Sequence, residues 1–250
     1  MQLTFAHFRN RFCMFRTYYA LAKGLIRPDG FDLAVIETAD PPSAEQIELL
    51  VSGAVDVADL YLPSFLAQKL KGAPIVGIGT EWKTTLRGNG IFVRADSPIK
   101  IPQELGGCVI GTHQVLIDQI FCLAERDREL RCLYTDGEGW KALTGYSEMV
   151  KHIIAVREPL LKAQPELRGK LLAAFRASLQ YSREHLEEIA EEFIERYGGE
   201  KEVLLASVQY PKIEFTFTKL EQTIAEAEME MLFEMGFLSG RIAVAPQFVL

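Results

Sequence analysis

Residues 1–80 alternate short apolar runs with segments of helical length. Apolar or β-branched runs occupy residues 3–6, 31–36, 55–59 and 74–78. Between the first two, apolar residues recur at helical spacing over residues 12–23, and Gly24 closes that segment. Strands that alternate with helices are typical of parallel sheets, because each parallel connection has to cross over the sheet. The pattern therefore predicts an α/β fold with a parallel or mixed sheet wrapped by helices.

Composition and charge exclude several classes of protein. With 48% hydrophobic residues among 250, the chain can bury the core of one or two domains. The net charge of −7 and the scattered Lys and Arg residues leave no basic stripe for a nucleic acid backbone. No apolar stretch approaches the roughly eighteen residues that a membrane span requires. We therefore expect neither a nucleic acid partner nor membrane insertion.

Residues 1–15 lack the features of an export signal. They contain no basic segment followed by an apolar run and a small-residue cleavage site. As written, the sequence predicts a cytoplasmic protein. A periplasmic or cell-surface location follows if a leader precedes this sequence.

Local motifs for catalysis, metal binding and cofactor binding are missing from the sequence. The four cysteines form no C-x-x-C pair, and we expect them to be reduced and buried. The histidines show no ligand spacing such as H-x-x-x-H. No G-x-S-x-G elbow, phosphate loop or G-x-G-x-x-G fingerprint occurs. The sequence therefore predicts no enzyme activity, no metal site and no cofactor.

Several short motifs occur in an order that points to one family. They are Lys23-Gly24, the D-G-F-D run at 29–32, Ser52-Gly53 with V-D-V at 55–57, K-G-A-P at 71–74, and residues 92–99. In this order they resemble the type 2 periplasmic-binding (solute-binding) protein family. The nearest branch is that of the thiamine-precursor, sulfonate and nitrate-binding proteins of ABC transporters. The resemblance implies a two-lobed α/β fold with a ligand cleft between the lobes.

The resemblance also predicts how the chain divides. Lobe one comprises residues 1–92 and 153–250, with the C-terminal helices packed on it, and lobe two comprises residues 93–152. A second lobe of this family holds roughly ninety residues, a size suited to a small α/β domain, whereas about sixty are present here. A strand is expected at residues 108–112. We expect lobe two to be abridged, with a helix, a strand and another helix missing before Asp118.

The candidate ligand-binding residues follow the predicted strands, because ligands of such sheets bind outside the carboxyl ends of the strands. They are Phe8, Arg9, Asn10, Thr38, Asp40, Asp59, Tyr61 and Trp82 from lobe one, and Thr112, His113, Gln114 and Asp118 from lobe two. We place Trp82 on a loop after the strand that ends at Ile78. Glu81 adds a further charge, so neither sign dominates the predicted cleft.

Each candidate also has a plain structural interpretation. Trp82 and Tyr61 offer ring faces for a planar ligand, or they pack in the core. Arg9 is able to pair with a carboxylate or sulfonate, or it lies on the surface. Asp59 accepts from an amino or ring N–H group, or it caps a helix. Thr38 and Asp40 hydrogen-bond to the ligand, or they belong to a turn.

The sequence predicts a solute-binding protein of an ABC-type uptake system, with a permease as its partner. Its expected ligand is a planar heteroaromatic of the pyrimidine kind, or else an aromatic acid or sulfonate. An alternative is a cytoplasmic enzyme on the same fold, because residues 130–136 before His152 resemble the 4,5-dihydroxyphthalate decarboxylase branch. A sensor, or a paralogue that no longer binds, is the third possibility.

Overall fold

The computed structural model describes residues 1–8, 11–38, 44–87, 89–109, 122–123, 126 and 128–249. Its strands are β1 (Gln2–Phe8), β2 (Asp32–Thr38), β3 (Val57–Tyr61), β4 (Ile75–Thr84), β5 (Gly90–Arg94), β6 (Leu130–Thr135), β7 (Met149–Arg157) and β8 (Lys212–Thr216).

The helices are distributed along the whole chain and are most frequent in its C-terminal half. They are α1 (Phe12–Ala22), α2 (Ala44–Ser52), α3 (Leu62–Leu70), α4 (Asp136–Thr144), α5 (Glu158–Ala163), α6 (Leu167–Glu184), α7 (Leu186–Tyr197), α8 (Lys201–Ser207) and α9 (Lys219–Glu234). Short 3₁₀ turns lie at Pro102–Leu105 and Ala245–Gln247. Within the described residues, no helix combines the length and the apolar character needed to cross a bilayer.

The large sheet is mixed. Its strand order is β2-β1-β3-β7-β4-β8. β1 pairs in parallel with β2 and β3, as the alternating pattern predicts. β7 pairs antiparallel with both β3 and β4, so it separates two strands that are neighbours in the sequence. β8 adds a second antiparallel strand at the edge. The prediction of a parallel or mixed sheet wrapped by helices is confirmed.

Helices cover both faces of this sheet. On one face, Phe5 and Ile154 pack in a core that includes Tyr18 of α1, Phe175 of α6 and Phe193 of α7. On the other face, a second core joins residues of β3, α3 and α9, among them Leu60, Phe65 and Ile224. The central strands are therefore apolar on both sides, which is typical of strands sandwiched between helix layers.

A second sheet contains only β5 and β6, which pair antiparallel. Both strands lie in or beside the segment predicted to form lobe two. The prediction of a strand at residues 108–112 is wrong for the two of these residues that the structure describes. Cys108 and Val109 belong to no strand, and Val109 is fully exposed. Residues 110–121, on which the abridgement of lobe two depends, lie outside the described residues. The division into lobes and the abridgement therefore stay predictions.

Only two of the four cysteines are buried. Cys13 and Cys122 are buried, whereas Cys108 and Cys132 are exposed. Cys132 lies in β6, whose alternate residues are exposed because the two-stranded sheet is covered on one side at most. The prediction of four buried cysteines is wrong for these two.

Candidate functional site

The carboxyl ends of β1, β3 and β4 meet the beginning of β7 at one edge of the large sheet. The strand register places His152 of β7 opposite Tyr61 on one side and opposite Trp82 on the other. Four titratable side chains converge there with no exposed surface: His7, Asp59, Glu81 and His152. We call these four residues the polar cluster.

An irregularity in β4 brings two successive side chains to the same face of the sheet. Neighbouring strand residues normally point to opposite faces. The pairing of β4 with both β7 and β8 shifts between Thr80 and Trp82, which marks a bulge. Thr80 contacts Glu221 of α9, whereas Glu81 contacts His7 and Trp82 contacts the ring of His152. The bulge therefore adds the Trp82 ring to the face that already carries the Glu81 carboxyl.

His7 and Glu81 form the first half of the polar cluster. Nε2 of His7 lies 3.3 Å from Oε1 of Glu81. The Thr17 hydroxyl of α1 lies 2.6 Å from the same carboxyl oxygen and is placed to donate to it. Nδ1 of His7 lies 3.2 Å from the carbonyl oxygen of Phe8. Oε2 of Glu81 has no hydrogen-bond partner in the part of the chain that the structure describes.

Asp59 and His152 form the second half. Nδ1 of His152 lies 2.9 Å and 3.1 Å from the two carboxyl oxygens of Asp59. We assign the imidazole proton to Nδ1, from which it is placed to donate to Asp59. Burial, together with the positive charge of Arg11, lowers the pKa of His152 well below its usual range. Burial, followed by the neighbouring Glu81 carboxyl, raises the pKa of Asp59 well above its usual range. The imidazole of His152 is therefore neutral, and its Nε2 carries a lone pair.

Three aromatic rings surround that imidazole. The centroids of the Tyr61, Trp82 and Phe8 rings lie 4.1, 5.1 and 5.2 Å from the centroid of His152. We call these three residues the ring set. Among the described residues, neither Nε2 of His152 nor Nε1 of Trp82 has a hydrogen-bond partner, although both atoms are buried. The first is an acceptor and the second is a donor.

The structure brings together four of the residues chosen from the sequence: Phe8, Asp59, Tyr61 and Trp82. Thr38 lies at the end of β2, where its hydroxyl donates to the carbonyl oxygen of His7 at 3.1 Å. The loop placement of Trp82 is wrong, since β4 continues to Thr84 and Trp82 is buried within it. The other candidates lie outside the described residues: Arg9, Asn10, Asp40, Thr112, His113, Gln114 and Asp118.

Sequence reasoning did not select His7, Thr17 or His152 as ligand-binding residues, and it counted Glu81 only as a charge. The search for ligand pairs considers short spacings, whereas His7 and Glu81 are 74 residues apart and Asp59 and His152 are 93 apart. The available signal is positional. His7 lies one residue after the predicted end of the first strand, where convergence with other strand ends is expected.

A model of the NMT1/THI5-like family matches residues 13–125. This part of the chain is therefore similar to the NMT1/THI5-like family. The NMT1/THI5-like match includes Asp59, Tyr61, Glu81 and Trp82, whereas His7 and His152 lie outside it. One half of each polar pair therefore comes from the matched region and the other half from the rest of the chain.

A curated relative with a similar sequence is the formylaminopyrimidine-binding protein of Halalkalibacterium halodurans. It is 24% identical over 102 residues, which cover 41% of this chain and 30% of that protein. The alignment thus spans less than a third of the relative's own length.

Solved structures resemble nearly the whole chain. The periplasmic aliphatic sulphonate binding protein SsuA from Escherichia coli has a TM-score of 0.68 at 13% identity, covering 99% of this chain and 97% of that chain. The Candida albicans CA3427 gene product, described as exhibiting the generic periplasmic binding protein structural fold, has a TM-score of 0.67 at 14% identity, covering 98% and 93%. The chain has the periplasmic binding protein fold, and the predicted family resemblance is confirmed.

Proposed function

We propose that the protein is a solute-binding protein of an ABC-type uptake system, and that its ligand is a planar heteroaromatic of the pyrimidine kind. The observation that carries this proposal is a buried donor beside a buried acceptor, both without partners among the described residues. They are Nε1 of Trp82 and Nε2 of His152, in rings whose centroids are 5.1 Å apart.

Buried polar atoms are rarely left without hydrogen bonds, because each one costs about 1–3 kcal/mol of desolvation. A heteroaromatic ligand with a ring nitrogen and an amino group supplies an acceptor for Trp82 and a donor for His152. The ring set adds flat apolar area, which aromatic ligands use for stacking. One ligand class thus satisfies both atoms.

Charge favours a pyrimidine over a sulfonate. Asp59 and Glu81 are two acidic groups in the polar cluster, and an anionic ligand would be repelled if either were ionised. A sulfonate also has no N–H or O–H to donate to Nε2 of His152. The formylaminopyrimidine-binding relative supports the same choice of ligand.

Ligand entry requires a ring to move. Phe8 and Trp82 are 2% and 3% exposed, whereas Tyr61 at the end of β3 is only half-buried. The Tyr61 ring lies 4.1 Å from His152 and covers the imidazole. We infer that the ligand ring displaces the Tyr61 ring and takes its place against His152.

The lobe division belongs to the same proposal. The cleft lies between lobe one (1–92 and 153–250) and lobe two (93–152), and a permease receives the ligand. The segments that would line the cleft from lobe two include Thr112, His113, Gln114 and Asp118.

The decarboxylase-like alternative rests on the His152–Asp59 pair. A carboxyl that orients Nδ1 of a histidine and leaves Nε2 free is the arrangement of a general base. The two functions differ in outcome, because a binding protein releases its ligand unchanged. Incubation of the purified protein with the bound compound, followed by mass spectrometry of the compound, separates them.

The binding proposal is tested by native mass spectrometry of the purified protein and by calorimetric titration with a formylaminopyrimidine. Trp82→Phe keeps the ring and removes the N–H, so we expect about tenfold weaker binding. Trp140→Phe is the matched control, since Trp140 already donates to the carbonyl oxygen of Glu148 at 2.8 Å. The control is expected to keep the wild-type Kd.

Two results would contradict this proposal. One is equal affinity of wild type and Trp82→Phe for the pyrimidine. The other is tighter binding of an aliphatic sulfonate than of the pyrimidine. Conversion of the compound during incubation would instead favour the enzyme.

A further inference from the structure

We propose that His7, Asp59 and Glu81 form a binding site for one divalent transition-metal ion of the zinc class. One ligating atom from each of these residues lies within 4.8 Å of the other two. All three side chains are fully buried. The proposal does not depend on the organic ligand, because it concerns atoms other than Nε2 of His152 and Nε1 of Trp82.

The donor set selects the kind of ion. An imidazole nitrogen with two carboxyl oxygens is a ligand set that zinc and its neighbours accept. Calcium and magnesium prefer six or more oxygen ligands, several of them often from water. A site without exposed surface disfavours those hydrated ions.

The distance between His7 and Glu81 suits a shared ion. Zinc lies about 2.0–2.2 Å from nitrogen and oxygen ligands, so two ligands of one tetrahedral ion are about 3.4 Å apart. Nε2 of His7 and Oε1 of Glu81 are 3.3 Å apart. This separation is long for a hydrogen bond to a carboxylate.

The surroundings of the two ring nitrogens of His7 also support a bound cation. Nδ1 faces the carbonyl oxygen of Phe8 at 3.2 Å, and that oxygen only accepts. A neutral ring has one N–H, and placing it on Nδ1 leaves a lone pair on Nε2 facing the Glu81 carboxyl. A cation between the two atoms satisfies both lone pairs. A metal-bound histidine commonly donates its other N–H to a backbone carbonyl, and Nδ1 of His7 faces such a carbonyl here.

The unpartnered oxygen of Glu81 is the second, independent indication. Oε2 is buried and has no donor among the described residues in their unprotonated form, while the Asp59 carboxyl lies close enough to share a proton with the Glu81 carboxyl. Two carboxyl groups in a dry site need a proton between them or a cation beside them. A divalent ion matches the charge of both carboxylates.

The first test measures metal content in the absence of any organic compound. The full-length protein is dialysed against a chelator and then incubated at length with Zn²⁺, Co²⁺ or Mn²⁺, since a fully buried site loads slowly. We expect about one ion per chain by elemental mass spectrometry, and visible absorption bands from bound Co²⁺. Mg²⁺ and Ca²⁺ are expected to remain unbound.

The variants separate this site from chance binding by histidine. His7→Gln and Glu81→Gln are each expected to weaken Zn²⁺ binding at least 100-fold. His185→Gln is the matched control, because His185 stacks on Tyr181 of α6 and lies outside the polar cluster. It is expected to change the affinity less than twofold.

Anomalous diffraction at the zinc edge locates the ion in the wild-type protein, so the test holds even if a variant fails to fold. A peak among His7, Asp59 and Glu81 supports the site. Three results would overturn the metal site: an anomalous peak elsewhere, a metal content below about a tenth of an ion per chain, or unchanged Zn²⁺ affinity in folded Glu81→Gln. Any of them would favour a proton shared by the Asp59 and Glu81 carboxyl groups instead. Pyrimidine titration of the chelator-treated protein is a separate measurement, so failure of either proposal leaves the other testable.

Discussion

Glu228 of α9 is a carboxyl group buried on the side of the large sheet opposite α1. Its Oε2 has no hydrogen-bond partner among the described residues. Burial raises its pKa from 4.5 to about 8, against the positive charge of Lys151, which acts to lower it. The folded protein therefore holds a proton on Glu228 at neutral pH that the unfolded chain releases.

This proton makes stability depend on pH. A raised pKa in the folded state stabilises the fold fully below the unfolded value near 4.5, and the stabilisation is lost as pH rises through about 8. Through Glu228, the free energy of unfolding falls by about 1.4 kcal/mol for each unit that the pH rises within that window. We expect Glu228→Gln to remove this slope, as measured by urea unfolding from pH 5 to pH 8.

Glu230 on the same helix is the control for this experiment. It is exposed and pairs with Arg241, so Glu230→Gln should keep the wild-type slope. If Glu228→Gln retained the full slope as well, the proton would reside on another group.

At the residue scale, the sequence predicts which residues lie in the candidate site better than it predicts which residues they contact. Phe8, Asp59 and Tyr61 could be selected because they lie where apolar runs end. Their partners could not, since the contact of Asp59 with His152 depends on an antiparallel strand far along the chain. Hydrogen bonds across 93 residues leave no local trace in composition or spacing.

At the scale of elements, a buried ion network joins β4, β8 and α9. Nζ of Lys83 lies 2.7 Å from both Glu221 and Glu214. Glu221 also caps α9, because its carboxyl accepts from the backbone N–H of Thr218, whose hydroxyl accepts from the N–H of Glu221. Burial acts to raise the pKa of Glu221, but hydrogen bonds from Lys83, Thr218 and Thr216 outweigh it and lower the pKa to about 2.

We expect Lys83→Met to lower the free energy of unfolding by about 3 kcal/mol, because it leaves a buried carboxylate without its cation. The double variant Lys83→Met/Glu221→Gln should lose less than the sum of the two single losses, by about 1–3 kcal/mol. Denaturant unfolding of the four proteins measures this coupling.

An exposed ion pair serves as the reference for the coupling free energy of the buried pair. Lys162 and Glu158 lie one turn apart on α5, with the lysine 73% exposed. Their coupling in the same kind of cycle should stay below about 0.5 kcal/mol. Equal coupling for the buried and the exposed pair would mean that burial does not strengthen the network.

Element boundaries could be predicted where local chemistry sets them. Helix α1 ends at Ala22, close to the predicted end, and Gly24 has a φ of +67°, which glycine adopts without strain. The end of β4 is harder to predict from the sequence, because Gly79, Thr80 and Glu81 interrupt its apolar run. The strand continues to Thr84 because β7 and β8 supply hydrogen bonds on both sides.

At the scale of the whole molecule, the two sheets should differ in stability. A sheet of two strands is marginal unless a large core supports it, and β5 has no fully buried residue. In hydrogen exchange, we expect the paired amides of β5 to exchange at least tenfold faster than those of β7, where Ile153 and Ile154 are fully buried.

The amide of Val57 in β3 serves as a second reference from the large sheet. Equal protection of β5, β3 and β7 would show that the small sheet opens only with the rest of the protein. That result would also argue against a weakly stable second lobe.

The architecture of the large sheet carries a consequence for synthesis. β3 and β4 are complete by residue 84, yet each has β7 as its neighbour, and β7 begins at residue 149. A ribosome adding about 5–20 residues per second needs on the order of ten seconds to cover that interval. During it, one edge of β3 and both edges of β4 have no native partner and are open to pairing with other chains. We therefore expect the growing polypeptide to need shielding, by a chaperone or by the ribosome surface, at least until Arg157 has emerged.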